Sequence, residues 1–476
     1  MRFSPPLTLF LLAVLFFAAG TWSLPLIDRD EPRFAEASRE MRARGDYVVP
    51  YFNNGYRFDK PPLTYWAQTT CYKYLGENDF AARLPSVLAA ALTVLAVYGF
   101  GTRLYGAGVG RGAALIFLTS LQVFEHAKAA VADMLMVLFF TLSTWAGWEL
   151  LRGGLPRRAR WGWWGLFYGS LALGFLAKGP VAWLPLAAVG IFAARRKTTA
   201  LGAGAHARAI MGCTLMLVLV AAWGIPAMEM TRGEFLKVGI GKHVIGRSVS
   251  AMEGHGDTGF ASYLAMLPFY CVTVFLSFFP WSLRLPWLVR RLRRAEGGLC
   301  DEQRYLLLGI AVVFGVFTLV RTKLPHYTLP AVPLLAILLA RELIPEQRES
   351  LVRWAKVTLV AGTALFLFGF PLLAQFFPGY VLIQKSAATL RPEMEFASTG
   401  YQEPSLVWYA RRYVHGWYSP LSAHKLAVFM AQPGPRFCVA PTGTLVPAPG
   451  WQVFETHGFN LVHFKTVALQ LMVKPE

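Results

Sequence analysis

The chain has 476 residues, of which 55% are hydrophobic and 15% charged, and a formal net charge of +19. So apolar a composition excludes an ordinary soluble globular domain and points to an integral membrane protein. The basic residues fall in small clusters between apolar runs, not in one patch interleaved with stacking aromatics, which argues against nucleic-acid binding and for topology signals in a lipid bilayer.

The first apolar run, Phe3 to Ile27, carries no charge and is long enough to span a membrane, so it reads as a retained helix rather than a cleaved signal. Charge-poor segments near 5–25, 84–102, 110–126, 132–150, 161–177, 179–194, 209–228, 262–283, 305–321, 324–340 and 357–377 give eleven candidate spans. Pro180, Pro185, Pro226 and Pro268 should bend or end helices among them. Clusters such as Arg152/Arg157/Arg158/Arg160, Arg195/Arg196/Lys197/Arg208 and Arg290/Arg291/Arg293/Arg294 mark cytoplasmic loops. The loop 25–83 holds nine Lys/Arg and nine Asp/Glu, offers no positive bias against translocation, and is expected outside. Alternation of the spans then puts Glu125, Lys128, Asp133, Lys178, the 229–257 loop, Arg321, Lys323 and His326 on that same face.

Within the first loop, DRDEPRFAEASREMRARGD predicts an interfacial helix. Asp30 is a plausible N-cap, Pro32 suits the first turn, Phe34, Ala37 and Met41 share a stripe, and Gly45 can end it. A capping aspartate is a satisfied structural residue in many proteins, but Asp28, Asp30 and Glu31 beside Arg33 at a membrane edge must be paired or serve chemistry. Farther on, GYRFDKPPLTYW sets Asp59 and Lys60 before two stiffening prolines, and a lysine at headgroup level is a point-charge ligand for phosphate as well as a candidate for snorkelling. From Pro378 on, short β-prone runs such as RFCVA (436–440) and WQVFET (451–456), punctuated by PTG and PAPG, predict a small extramembrane domain. The five cysteines, Cys71, Cys213, Cys271, Cys300 and Cys438, show no CxxC spacing, and only a Cys71–Cys438 bridge is open to consideration.

The segments DEPRFAEASREM, GDYVVPYFNNGYRFDKPPLTYW, FLAKGP (175–180) and TKLPHYTLPAVPLLA (322–336) resemble the bacterial relatives of protein O-mannosyltransferases, including the transferases that add aminoarabinose to lipid A. The resemblance spans roughly residues 1–375. It implies a GT-C glycosyltransferase: an α-helical polytopic membrane domain (1–377, about 11–13 transmembrane helices) with interfacial helices in the 25–83 loop, followed by a small C-terminal α/β domain (378–476). It further implies a polyprenyl-phosphate-linked sugar donor, an acceptor that is lipid A or protein, and a site on the periplasmic side of the bacterial inner membrane. Catalytic acids are expected at Asp30 and Asp133, and substrate contacts at Glu31, Arg33, Asp59, Lys60, Lys178, His243, Arg247, Lys323, His326 and Tyr327. No cofactor is fixed, although Asp59 and His243 could hold a divalent metal. Two positions depart from the family pattern: Asp59 stands where Glu is usual, and Met134 follows Asp133 where Pro is usual.

Two further readings stay open. One is a mannosyltransferase acting on protein Ser/Thr. The other is a lipid or sugar transporter, disfavoured because the charges gather at one face and no halves repeat.

Overall fold

The computed structural model describes residues 4–196, 204–246, 259–294 and 297–475. In chain order, α1 (Pro5–Ala18) leads to α2 (Asp30–Arg44), a short hairpin of β1 (Tyr51–Phe52) and β2 (Gly55–Tyr56), and α3 (Leu63–Leu75). The membrane part continues through α4 (Asp79–Tyr105), α5 (Ala107–Leu118), α6 (Leu121–Ala127), α7 (Asp133–Arg152), α8 (Arg157–Lys178), α9 (Leu184–Arg196) and α10 (Ala205–Met230). Helices Phe260–Ala265, Phe269–Ser277, Leu285–Arg293, Asp301–Leu319 and Val332–Ala364 follow.

Local sequence explains where these helices start and how closely they pack. Asn78 accepts the Ala81 N–H at 2.9 Å to start α4. The α4–α5 hairpin closes on glycine: a Cβ at Gly110 would lie 2.6 Å from the Tyr98 carbonyl oxygen and 2.8 Å from the Thr102 nitrogen. Only a residue without a side chain lets those backbones meet.

By length and composition, five helices among the described residues can cross a membrane, or seven if each of two bent pairs is one span. Eleven segments were expected, and three causes account for much of the difference. α1 and α9 have only 14 and 13 residues. In α8, Trp161, Trp163, Trp164, four glycines and Lys178 dilute the apolar run. Segments 324–340 and 357–377 were expected as two spans joined by a loop, yet residues 341–356 are helical within Val332–Ala364. The break is confined to Gln347 (φ −131°, ψ 28°), two residues past Pro345, which has no N–H for the ladder. One bent pair, α5 and α6, turns by 66° at Thr119–Ser120. There Trp281 Nε1–H donates to Thr119 Oγ1 at 2.9 Å.

α2 matches the stripe expected of it: Phe34, Ala37 and Met41 are buried with Tyr65 and Ala132, and Gly45 ends the helix at φ +67°. Its other face corrects the expectation of a helix merely resting on the interface. Glu36, Arg39 and Glu40 are buried too, because the C-terminal unit covers them. Arg411 reaches Glu36 at 2.6 Å and Glu40 at 3.4 Å, and Arg39 pairs with Glu36 while donating to the Trp408 carbonyl at 3.1 Å. Glu36, Arg39, Glu40 and Arg411 are therefore mutual counter-ions in a largely buried junction.

The C-terminal unit is a five-stranded mixed sheet, in the order β4-β3-β5-β7-β6. Its strands are β3 (Glu395–Ser398), β4 (Tyr418–Pro420), β5 (Arg436–Pro441), β6 (Gln452–Asn460) and β7 (Lys465–Lys474). β3 runs parallel to β4 and β5, whereas β5, β7 and β6 are antiparallel. Helix Pro404–Ala410 docks the unit onto the first loop. Asp79 accepts from Trp408 Nε1 at 2.8 Å and from the Tyr409 hydroxyl at 2.9 Å, and Asp28 accepts from the Ser405 N–H at 2.8 Å. All five cysteines are free thiols, so Cys71 and Cys438 are not bridged.

One buried ion pair fixes the start of α2. Arg83 Nε–H donates to Glu31 at 2.8 Å, and its remaining N–H groups donate to the carbonyls of Thr21, Leu24 and Pro25 at 2.9, 2.5 and 3.0 Å. Replacing Arg83 with Met would strand a buried carboxylate and three carbonyls. That change should cost about 3–5 kcal/mol, seen as a large fall in the thermal unfolding midpoint in detergent. Asp28 makes a second prediction. Burial chiefly, with Glu403 adding, raises its pKa from an ordinary 3.8 to about 7. The folded state thus binds this proton more tightly than the unfolded chain, so its contribution is complete below 3.8 and is lost as pH rises through about 7. The unfolding midpoint should fall between about pH 4 and pH 7, and Asp28→Asn should flatten that part of the fall.

Candidate active site

A cavity of about 460 Å³ opens where the first loop meets the membrane helices. Its polar wall carries Asp30, Arg33, Arg57, Asp59, Lys60, Asp133, Lys178, His326 and Tyr327. Its apolar wall is built by Phe34, Met136, Leu184, Phe317, Val320 and Leu324, among others. Asp30, Asp133 and Lys178 sit at helix ends, and Arg57, Asp59 and Lys60 come from the segment between β2 and α3.

Asp30 is the first residue of α2, and Arg33 follows less than one turn later. Asp30 was expected as an N-cap, but Arg29 holds that position and no side chain caps the helix. The Asp30 carboxylate is therefore available to the cavity, where it is exposed. Arg57, just past β2, donates from Nε–H to the Tyr65 hydroxyl at 3.0 Å, meets Asp59 at 3.3 Å and lies over the Phe34 ring. Burial opposes its charge, but Tyr65, Asp59 and Asp30 more than compensate and hold its pKa above the ordinary value. Asp133 is the first residue of α7 and Lys178 the last of α8, and the two form an ion pair. Lys178 also lies 5.9 Å from the centre of the Tyr327 ring. His326 and Tyr327 come from the 3-10 turn Pro325–Ala331, and the His326 ring packs against that of His126 with centroids 5.1 Å apart.

Of the twelve residues singled out from sequence, eight line this cavity: Asp30, Arg33, Asp59, Lys60, Asp133, Lys178, His326 and Tyr327. Two do not. Glu31 turns inward to Arg83 and to the Ala130 N–H at 3.2 Å, since its helical neighbour Asp30 projects roughly 100° away around the axis. Lys323 is buried and donates to the carbonyls of Phe317 and Thr318 at 3.0 and 2.5 Å, so it caps the C-terminal end of helix Asp301–Leu319. The side chain of His243 and all of Arg247 lie outside the described residues. Asp59 has Arg57 as a counter-ion. Arg57 and His126 were missed. Arg57 carried a faint signal as a cation two residues before Asp59, and His126 as an imidazole at the end of an apolar run.

Residues 59–225 match the protein family described as dolichyl-phosphate-mannose-protein mannosyltransferase. The chain is 29% identical over 384 residues to the undecaprenyl phosphate-alpha-4-amino-4-deoxy-L-arabinose arabinosyl transferase of Pectobacterium atrosepticum, covering 78% of this chain and 65% of that protein. It is 32% identical over 342 residues to the enzyme of the same name from Edwardsiella ictaluri, covering 70% and 58%. The chain spans less than two thirds of the length of these curated relatives. In three dimensions it is similar to ArnT from Cupriavidus metallidurans bound to undecaprenyl phosphate, with a TM-score of 0.79, 18% identity, and 98% and 97% of the two chains covered. An Archaeoglobus fulgidus oligosaccharyltransferase is more distant, at a TM-score of 0.52 and 10% identity, with 92% and 68% covered. The chain thus has the GT-C fold of these membrane glycosyltransferases, and its sequence resembles the undecaprenyl phosphate-aminoarabinose arabinosyl transferases.

Proposed function

We propose that the chain transfers a sugar, aminoarabinose-like or a hexose, from an undecaprenyl monophosphate donor to an envelope acceptor such as lipid A. The reaction takes place at the periplasmic face of the bacterial inner membrane. The observation that carries this reading is the two-sided cavity, which sets four cations and three carboxylates against an apolar wall of membrane helices. Its volume suits a sugar-phosphate head, and its apolar side suits the start of a prenyl chain. The name of the arabinosyl transferase relatives, and the undecaprenyl phosphate bound by the Cupriavidus protein, support the same donor.

The chemistry follows from what such a donor needs. Its anomeric carbon is already activated by phosphate, so the protein must take a proton from the acceptor hydroxyl and stabilise the phosphate that leaves. Asp30 accepts that proton as the acceptor oxygen bonds to the anomeric carbon. The carbon–oxygen bond to phosphate breaks, polyprenyl monophosphate departs as the anion, and one displacement inverts the configuration. Arg33, Arg57 and Lys60 face the leaving phosphate, where charge stabilisation grows as water is excluded. Asp133, held by Lys178, positions the sugar or acceptor.

The match to a protein mannosyltransferase family over 59–225 favours a second acceptor class, protein Ser/Thr. The basic residues around the cavity suit the anionic lipid A better.

Asp30→Asn should lower turnover by roughly 10²–10⁴-fold while leaving the fold and donor binding intact, measured by transfer from a synthetic polyprenyl monophosphate sugar with mass-spectrometric detection. Wild-type turnover in that variant would remove Asp30 from the reaction. Lys60→Met and Lys323→Met should separate: the first loses about 10²–10³-fold in turnover. The second retains turnover but loses about 0.3–2 kcal/mol of stability, because its ammonium serves helix carbonyls.

A further inference from the structure

We propose that His126, Asp133 and His326 together bind one divalent transition-metal ion, zinc being the best fit, beside the cavity that Asp133 and His326 line. This goes beyond the transfer reaction and does not depend on it. The three residues come from the end of α6, the start of α7 and the turn Pro325–Ala331, and one ligand atom from each lies within 4.8 Å of the other two. Asp133 is buried and both histidines are half-buried.

A second observation points to ligation. His126 Nδ1 lies 3.0 Å from the Gln122 carbonyl oxygen. A carbonyl only accepts, so Nδ1 carries a proton, and in the neutral ring Nε2 is the nitrogen with the lone pair for a metal. A backbone carbonyl on the far nitrogen is how metal-bound histidines are commonly oriented and made more basic. On Asp133, Oδ1 holds Lys178, which leaves Oδ2 for an ion.

The donor set selects the metal. Magnesium and calcium favour all-oxygen cages, whereas two imidazole nitrogens with one carboxylate suit zinc and its first-row neighbours and leave a position open. Zinc holds such ligands at about 2.0–2.2 Å, so the triangle must draw in by roughly an ångström, within reach of side-chain rotation. Asp133 and His326 line the cavity, and the open position would therefore accept an oxygen from whatever occupies it.

The test uses the full chain, purified in detergent and stripped with a chelator, titrated with Zn2+ by calorimetry and with Co2+ by visible absorption. The expected result is one ion per chain, a cobalt spectrum with nitrogen ligation, and at least about tenfold weaker binding in His126→Ala. Asp59→Asn should bind as wild type does, which separates this site from any metal on Asp59. If His126→Ala fails to fold, X-ray absorption of the zinc-loaded wild type decides, with two imidazoles expected in the coordination sphere. No stoichiometric ion, unchanged affinity in His126→Ala, or a coordination sphere without two imidazoles would overturn the assignment. Because binding is read directly, a failed transferase assay leaves this result standing, and a failed titration leaves the transferase reading standing.

Discussion

The buried pair of Arg83 and Glu31 is the constraint on which the rest of the site depends. It joins α4, a membrane helix, to the first turn of α2, and the same guanidinium collects three carbonyls from the chain leaving α1. With Glu31 committed inward, helical geometry turns Asp30 by roughly 100° about the axis, toward the cavity. Two adjacent acids thus divide into one buried in an ion pair and one that faces the cavity. A buried pair of this kind adds little net stability over an apolar packing, but it enforces one arrangement because breaking it strands a charge.

The same logic sorts the other cations. Lys128 donates to the carbonyls of Phe16, Phe17 and Ala19 at the end of α1, as Lys323 does at the end of helix Asp301–Leu319. Both occupy helix C-termini, where unsatisfied carbonyls attract positive charge. Arg39 and Arg411 serve the acids of α2 beneath the C-terminal unit. The cations on the cavity wall, Arg33, Arg57, Lys60 and Lys178, are set against the carboxylates Asp30, Asp59 and Asp133. A phosphate entering there would shift pairings already present, without creating a charged pocket in bare lipid, where an isolated charge costs roughly 2.5–3.5 kcal/mol or more.

Much of this was legible because charge beside an apolar run is costly and therefore informative. Asp133 and Lys178 stand at helix ends, so alternation of the spans was enough to place them on the face of the first loop. The stripe of Phe34, Ala37 and Met41 likewise foretold the buried side of α2. Sequence could not tell which of Asp30 and Glu31 would turn inward, because that depends on Arg83, some fifty residues away in the chain. Nor could it tell that Lys323 would fold back on its own helix, since KLPHY reads alike for a ligand and for a cap. The covering of the far face of α2 by helix Pro404–Ala410 was hidden for the same reason: the partners of Glu36 and Asp79 lie hundreds of residues on. The helix across 341–356 was misread because a cluster of charges marks a cytoplasmic segment without saying whether it is coiled or loose.

Residues from distant segments line one cavity, where the proposed polyprenyl phosphate donor would bind. Photocrosslinking with a polyprenyl monophosphate that carries a photoreactive group near the phosphate, followed by peptide mapping, tests this most directly. Adducts should fall on residues 30–34, 57–60, 131–136, 178–184 and 316–327, the segments that line the cavity. Adducts confined to outward-facing helices such as Ala205–Met230, with none on those segments, would contradict it.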